Sequence, residues 1–143
     1  MTEFLFVYGT LMRPFHSGII AILRKRSSFV ATGRIKGKLY DIGHYPGLVY
    51  DQAGASFVKG EILKMSYPER LLPILDDYEM IDPQTPDGNE YKRLLLPVQA
   101  DREYLCWTYV YQFSTTHLTA IDSGDYLTYF DQNPRHQEFI DKN

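Results

Sequence analysis

Phe4-Leu5-Phe6-Val7-Tyr8-Gly9-Thr10-Leu11-Met12 is the stretch that decides how the rest of this chain is read. An unbroken apolar and aromatic run stops at Gly9-Thr10, which predicts a buried strand running directly into a turn. Glycine at that point lets successive backbone N–H groups face one concavity. Such a nest holds anions, carboxylates included. A tight turn with no ligand is the plainer reading of the same residues.

Working outward, Ile19, Ile20, Ile22 and Leu23 have helical spacing and lead into Arg24-Lys25-Arg26. That triplet reads as a solvated helix end rather than a phosphate site. Residues 29–40 mix β-branched residues with Gly33 and Gly37, which predicts a strand with bulges or close backbone contacts. Residues 41–47 are turn-rich. Strands are expected over 48–50 and 57–65, joined by a turn over 51–56. Ser66-Tyr67-Pro68-Glu69 has the form of a capping box, and Leu71, Leu72, Leu75 and Tyr78 then share a helical face. Pro73 lies inside that pattern and removes a backbone donor, so a broken or partly 3₁₀ helix is expected there. After a polar loop over 82–90, strands over 91–98 and 104–113 are expected to pair as a hairpin. Residues 114–143 are polar and aromatic and predict a lid or extended wrap, ending in a short helix.

The order strand, helix, strands, helix, strands does not alternate, which disfavours a doubly wound sheet. The expected fold is α+β: a mixed, barrel-like curled sheet with two main flanking helices. One domain over 1–143 is expected, with its core over about 3–113. A chain of 143 residues is long enough to build such a core unaided.

Composition narrows the function. The formal charge of −3 carries no nucleic-acid footprint. No apolar run reaches the ~18 residues a membrane span needs. Met1-Thr2-Glu3 lacks the basic start of a signal peptide, so a cytoplasmic location is expected. Cys106 is the only cysteine, and it reads as a small buried hydrophobe rather than a nucleophile. His16, His44, His117 and His136 have no ligand spacing, so no metal site is expected. Aromatic residues reach 15%, with twelve tyrosines, which suits either a tyrosine-rich core or a pocket with apolar walls and hydroxyls.

Two further segments carry candidate chemistry. Leu75-Asp76-Asp77-Tyr78-Glu79 closes the second helix, where the dipole disfavours a negative charge. Asp76 and Asp77 add like charge, and burial would raise the pKa of Glu79 further, toward values useful for proton transfer. An ordinary solvated acidic helix end is the competing reading. Tyr91-Lys92-Arg93 opens the next strand, with Tyr91 and Arg93 on one face. A structural ion pair of Arg93 with a nearby carboxylate is the alternative to a ligand contact.

Taken together, Tyr8-Gly9-Thr10-Leu11, then Leu75 to Glu79, then Tyr91-x-Arg93 resembles the γ-glutamylcyclotransferase-like family, nearest to its γ-glutamylamine cyclotransferase branch and small bacterial relatives. Gly60-Glu61, His44-Tyr45-Pro46-Gly47 and Asn133-Pro134-Arg135 extend the resemblance over nearly the whole chain. The resemblance implies an enzyme that cyclises a γ-glutamyl group to 5-oxoproline and releases an amine or amino acid. It implies Glu79 as the catalytic acid–base residue, and the Tyr8, Gly9, Thr10 and Leu11 loop as the holder of the glutamyl part. Tyr91, Arg93 and Tyr109 join the substrate-binding set. Tyr8, Tyr109 or further backbone amides are the candidate oxyanion donors. No metal or organic cofactor is implied, and the partner is a small molecule. The chain departs from the family pattern at Met80, where active members often carry glycine, and in its long 81–90 loop. The alternative function is a non-catalytic module that binds a small carboxylate-bearing metabolite in the same pocket.

Overall fold

A computed structural model describes residues 2–9, 11–12 and 18–132. Thr10, His16, His136 and Asn133-Pro134-Arg135 lie outside the described residues. So does any terminal helix beyond 132.

The opening run forms β1 (Phe4–Val7), three of whose four residues are buried. Helix α1 (Gly18–Lys25) buries Ile20 and Leu23 and ends on Arg24 and Lys25. It leads into β2 (Ser27–Asp41), a strand of 15 residues. β3 (Pro46–Tyr50), β4 (Phe57–Met65) and helix α2 (Pro68–Tyr78) follow. β5 (Tyr91–Gln99) and β6 (Glu103–Tyr111) form the expected hairpin, in register from Tyr91↔Tyr111 to Gln99↔Glu103.

The sheet closes. Its order runs β3-β2-β4-β1-β6-β5, and β5 returns to β2 through Arg34↔Gln99. The pairs of that ring are antiparallel except β1 with β6, which is parallel. This is the mixed, barrel-like sheet with two main helices that the sequence predicts.

The length of β2 makes closure possible. Its first part pairs with β4 and its last part with β3. The bulge falls at Val30, between Phe29 and Ala31, rather than at a glycine. Gly33 serves instead as a close contact: a Cβ there would meet Val98 Cγ1 at 2.9 Å and Ile62 Cδ1 at 3.0 Å. Phe6, Ile35, Ile62, Val98, Cys106 and Thr108 are among the residues that fill the buried core. Burial pushes the Cys106 thiol up to about 12, so it stays protonated and inert at neutral pH.

Two local expectations are corrected. The capping box does not form: α2 starts at Pro68 with Tyr67 as its N-cap, and no side chain caps it. The frame is one residue off, because Pro68 suits the first helical position and leaves Ser66 outside, its N–H donating to Arg26 O at 2.8 Å. Pro73 does not break the helix, which is continuous to Tyr78. Glu69, whose carbonyl loses its partner to Pro73, is exposed, so water can satisfy it.

In the C-terminal segment, β7 (Thr119–Ala120) adds to β2. Helix α3 (Tyr126–Asp131) is capped by Asp125, whose carboxylate accepts from Leu127 N at 3.1 Å. Tyr126 is fully buried, and Leu127, Tyr129 and Phe130 pack on the core. Among the described residues no helix is long and apolar enough to cross a membrane.

Candidate active site

Glu79 is presented by the way α2 ends. Leu71, Leu72 and Leu75 are buried and pin the helix to the barrel. Glu79 is the C-cap residue, and its N–H still donates to Leu75 O at 2.9 Å. Met80 then takes a left-handed conformation with φ of 58°. Its N–H donates to Asp77 O at 3.0 Å, and that of Ile81 to Asp76 O at 2.9 Å. This pair of bonds is the Schellman closure, which favours glycine at the left-handed position. Met80 therefore keeps the sharp reversal that a glycine would make, at a conformational cost of about 1 kcal/mol. We expect Met80→Gly to raise stability by about 0.5–1 kcal/mol, part of the gain being offset by glycine's greater unfolded-state entropy. A thermal melt checks this; a lowered melting temperature would show that the methionine is not strained.

Directly inside this reversal lies a cavity of ≈ 610 Å³. Glu79 lines it together with Tyr8, Gly9 and Leu11 from the loop after β1. Tyr91 and Tyr109 line it as well, as do Tyr45, Glu90 and Phe113. Arg93 is not brought to the wall. Its guanidinium grips Asp76 bidentately, Nε to Oδ1 at 2.8 Å and Nη2 to Oδ2 at 3.1 Å, and lies over the Trp107 ring at 4.5 Å. Gly9 is needed for close approach: a Cβ there would meet Pro46 Cγ at 2.8 Å.

The tyrosine hydroxyls hold the wall together. Tyr8 donates to Tyr109 O at 2.7 Å, Tyr91 donates to Pro46 O at 2.7 Å, and Tyr109 donates to Asp76 Oδ1 at 2.6 Å. Each hydroxyl has one proton. Neither Tyr8 nor Tyr109 can donate to an oxyanion without giving up its bond. Among the candidate oxyanion donors, that leaves the backbone amides.

Glu79 titrates far from an ordinary carboxylate. Burial is the largest cause, followed by the charges of Glu90 and Asp76, and together they push it up to about 7. Asp77 is exposed and is not among the causes. No motif in the sequence marks Glu90. Its position next to Tyr91, a candidate pocket residue, is the one signal that pointed to it. Tyr45 lies within the His44–Gly47 motif, which by itself assigns it no role.

The fold places the chain in a known class of proteins. The model of the family described as gamma-glutamyl cyclotransferase, AIG2-like matches residues 5–128, and the chain belongs to that family. The gamma-glutamylcyclotransferase family protein YtfP of Escherichia coli K12 is 29% identical over 130 residues, covering 86% of this chain and 95% of that protein. The solution structure of E. coli YtfP superposes with a TM-score of 0.62 at 30% identity, over 89% of this chain and 98% of that one. The crystal structure of YkqA from Bacillus subtilis superposes with a TM-score of 0.67 at 25% identity. It matches 90% of this chain, which spans 41% of the length of YkqA.

Proposed function

We propose that the chain is a γ-glutamylcyclotransferase that converts a γ-glutamyl amine or γ-glutamyl amino acid into 5-oxoproline and the free amine. One observation carries the reading: a carboxylate with its pKa near neutrality and the residues Tyr8, Gly9 and Leu11 after β1 line the same cavity. The substrate's α-carboxylate would rest on the loop amides. Tyr8, Tyr91 and Tyr109 shape the wall against the glutamyl chain, and Arg93 acts on the site through Asp76 rather than by contact.

In this reading Glu79 accepts a proton from the substrate's α-ammonium. The freed amine attacks the γ-carbonyl carbon, forming the ring C–N bond. Glu79 returns that proton to the leaving nitrogen as the original amide C–N bond breaks, and the second proton that the ring nitrogen sheds on becoming a lactam N–H passes to the released amine, which departs as an ammonium. Protons and atoms balance without water. The attack is intramolecular, so holding the chain folded supplies much of the acceleration.

Incubation with γ-glutamyl amines is expected to yield 5-oxoproline and amine in equal amounts. Release of glutamate instead would overturn cyclisation. The base form of Glu79 is needed, so kcat/KM should rise as pH increases through about 7. A profile that is flat between pH 5 and 8 would remove Glu79 as the base. Thermal stabilisation by 5-oxoproline with no turnover of any γ-glutamyl compound would favour the binding-module alternative.

A further inference from the structure

Glu90 is the second carboxylate on the cavity wall, and the acid–base steps leave it without a task. It is held firmly. Its carbonyl accepts from Gln112 N at 2.9 Å, and Gln112 Nε2 ties the preceding loop through Pro86 O and Asn89 O at 2.8 and 2.7 Å. Asn89 braces the same loop by exchanging bonds with Asp82 at 3.1 and 3.0 Å. The Tyr45 hydroxyl donates to Glu90 Oε1 at 2.6 Å, which leaves further acceptor sites on the carboxylate.

Its surroundings suit a cation. Tyr45 and Tyr91 stand 6.2 Å apart between ring centroids, Tyr91 and Tyr111 5.8 Å, and Tyr111 and Phe113 5.9 Å. Tyr45, Tyr91 and Phe113 line the cavity with Glu90. Among the described residues no lysine, arginine or histidine lies at ion-pair distance from Glu79 or Glu90, and Arg93 is spent on Asp76. Two carboxylates and a run of rings in one cavity are an arrangement that attracts cations. The substrate's α-ammonium accounts for one of the carboxylates, Glu79.

We infer that Glu90, with the rings of Tyr45, Tyr91 and Phe113, forms a subsite for a positively charged leaving amine. The preferred substrates are then γ-glutamyl derivatives of diamines, with the second ammonium on Glu90. This inference rests on the cyclotransferase reading. A cation there also offsets the charge that Glu90 exerts on Glu79, so the kcat profile of such a substrate should lie at lower pH than that of a neutral one.

The test compares γ-glutamyl-1,4-diaminobutane with γ-glutamyl-butylamine, which differ in the terminal ammonium. The wild-type kcat/KM should favour the diamine derivative by roughly 10- to 100-fold, the worth of a charged hydrogen bond. Glu90→Gln should collapse that ratio toward unity. Glu90→Asp should retain part of it. A wild type with no preference overturns the inference whatever the variants do. So does an equal loss for both substrates in Glu90→Gln, which would place Glu90 against the glutamyl part. Calorimetry with free 1,4-diaminobutane and butylamine gives a readout independent of turnover. Selective diamine binding lost in Glu90→Gln, with neither substrate converted, would keep the subsite and sink the cyclotransferase. Conversion without preference would do the reverse.

Discussion

Glu79→Gln should lower kcat/KM by roughly 10³-fold or more, because general acid–base groups contribute about 10²–10⁴ and this one serves in both directions. Glutamine keeps the shape of the side chain but can neither take nor return the proton. The same variant should be more stable than wild type at pH 8. The folded-state pKa is about 7 against an ordinary value of 4.5, so between these values the folded protein binds the proton more strongly than the unfolded chain. Stability from this group is therefore full below about 4.5 and is lost as pH rises through 7, by on the order of 3 kcal/mol. Melts at pH 4.5 and pH 8, run beside the assay, separate the two claims. Retained turnover would remove Glu79 from the chemistry. An equal melting temperature for both proteins at pH 8 would show that its charge is well solvated.

That trade between stability and activity depends on features with unequal visibility in the sequence. The apolar run of β1, the hairpin of β5 and β6 and the leucine face of α2 are local patterns, and each was readable. Closure of the barrel was readable only as a tendency, because it rests on a contact between Arg34 and Gln99, far apart in the chain. The end of α2 could be placed, but not its geometry. A methionine gives no sign of a left-handed backbone, and the bonds from Met80 and Ile81 impose it. Glu90 was hidden for a related reason. Its neighbours in the cavity, Tyr45 and Glu79, are brought to it by the fold of the 82–90 loop and by tethers such as Gln112. Arg93 shows the opposite case: both readings were open, and the bidentate grip on Asp76 puts it behind the wall. The tyrosines were countable, yet whether a hydroxyl is free or committed depends on carbonyls such as Pro46 O and Tyr109 O, which no side-chain pattern encodes.

Gly60→Ala should be strongly damaging although it lies outside the cavity. Gly60 lies in β4 beside Glu61, which pairs with Val7 at the end of β1. A Cβ at Gly60 would run into the Val7 carbonyl and meet Phe6 Cζ at 2.6 Å. Neither neighbour can yield cheaply. Phe6 is buried in the core, and Val7 is buried and paired with Glu61 at the end of a strand that has neighbours on both sides. Overpacking of this kind costs about 2–4 kcal/mol, which corresponds to a fall in melting temperature on the order of 10 °C for a chain of this size. The cost also reaches the site, since Tyr8 and Gly9 follow Val7 directly and any outward shift of β1 carries their loop with it. Turnover should therefore fall in Gly60→Ala even at temperatures where the variant remains folded. Gly18→Ala is the matched control, because nothing lies within 4 Å of an added Cβ there. Equal melting temperatures for the two variants would mean that β1 and β4 can part without penalty, and the position of the Tyr8–Leu11 loop would then need another support.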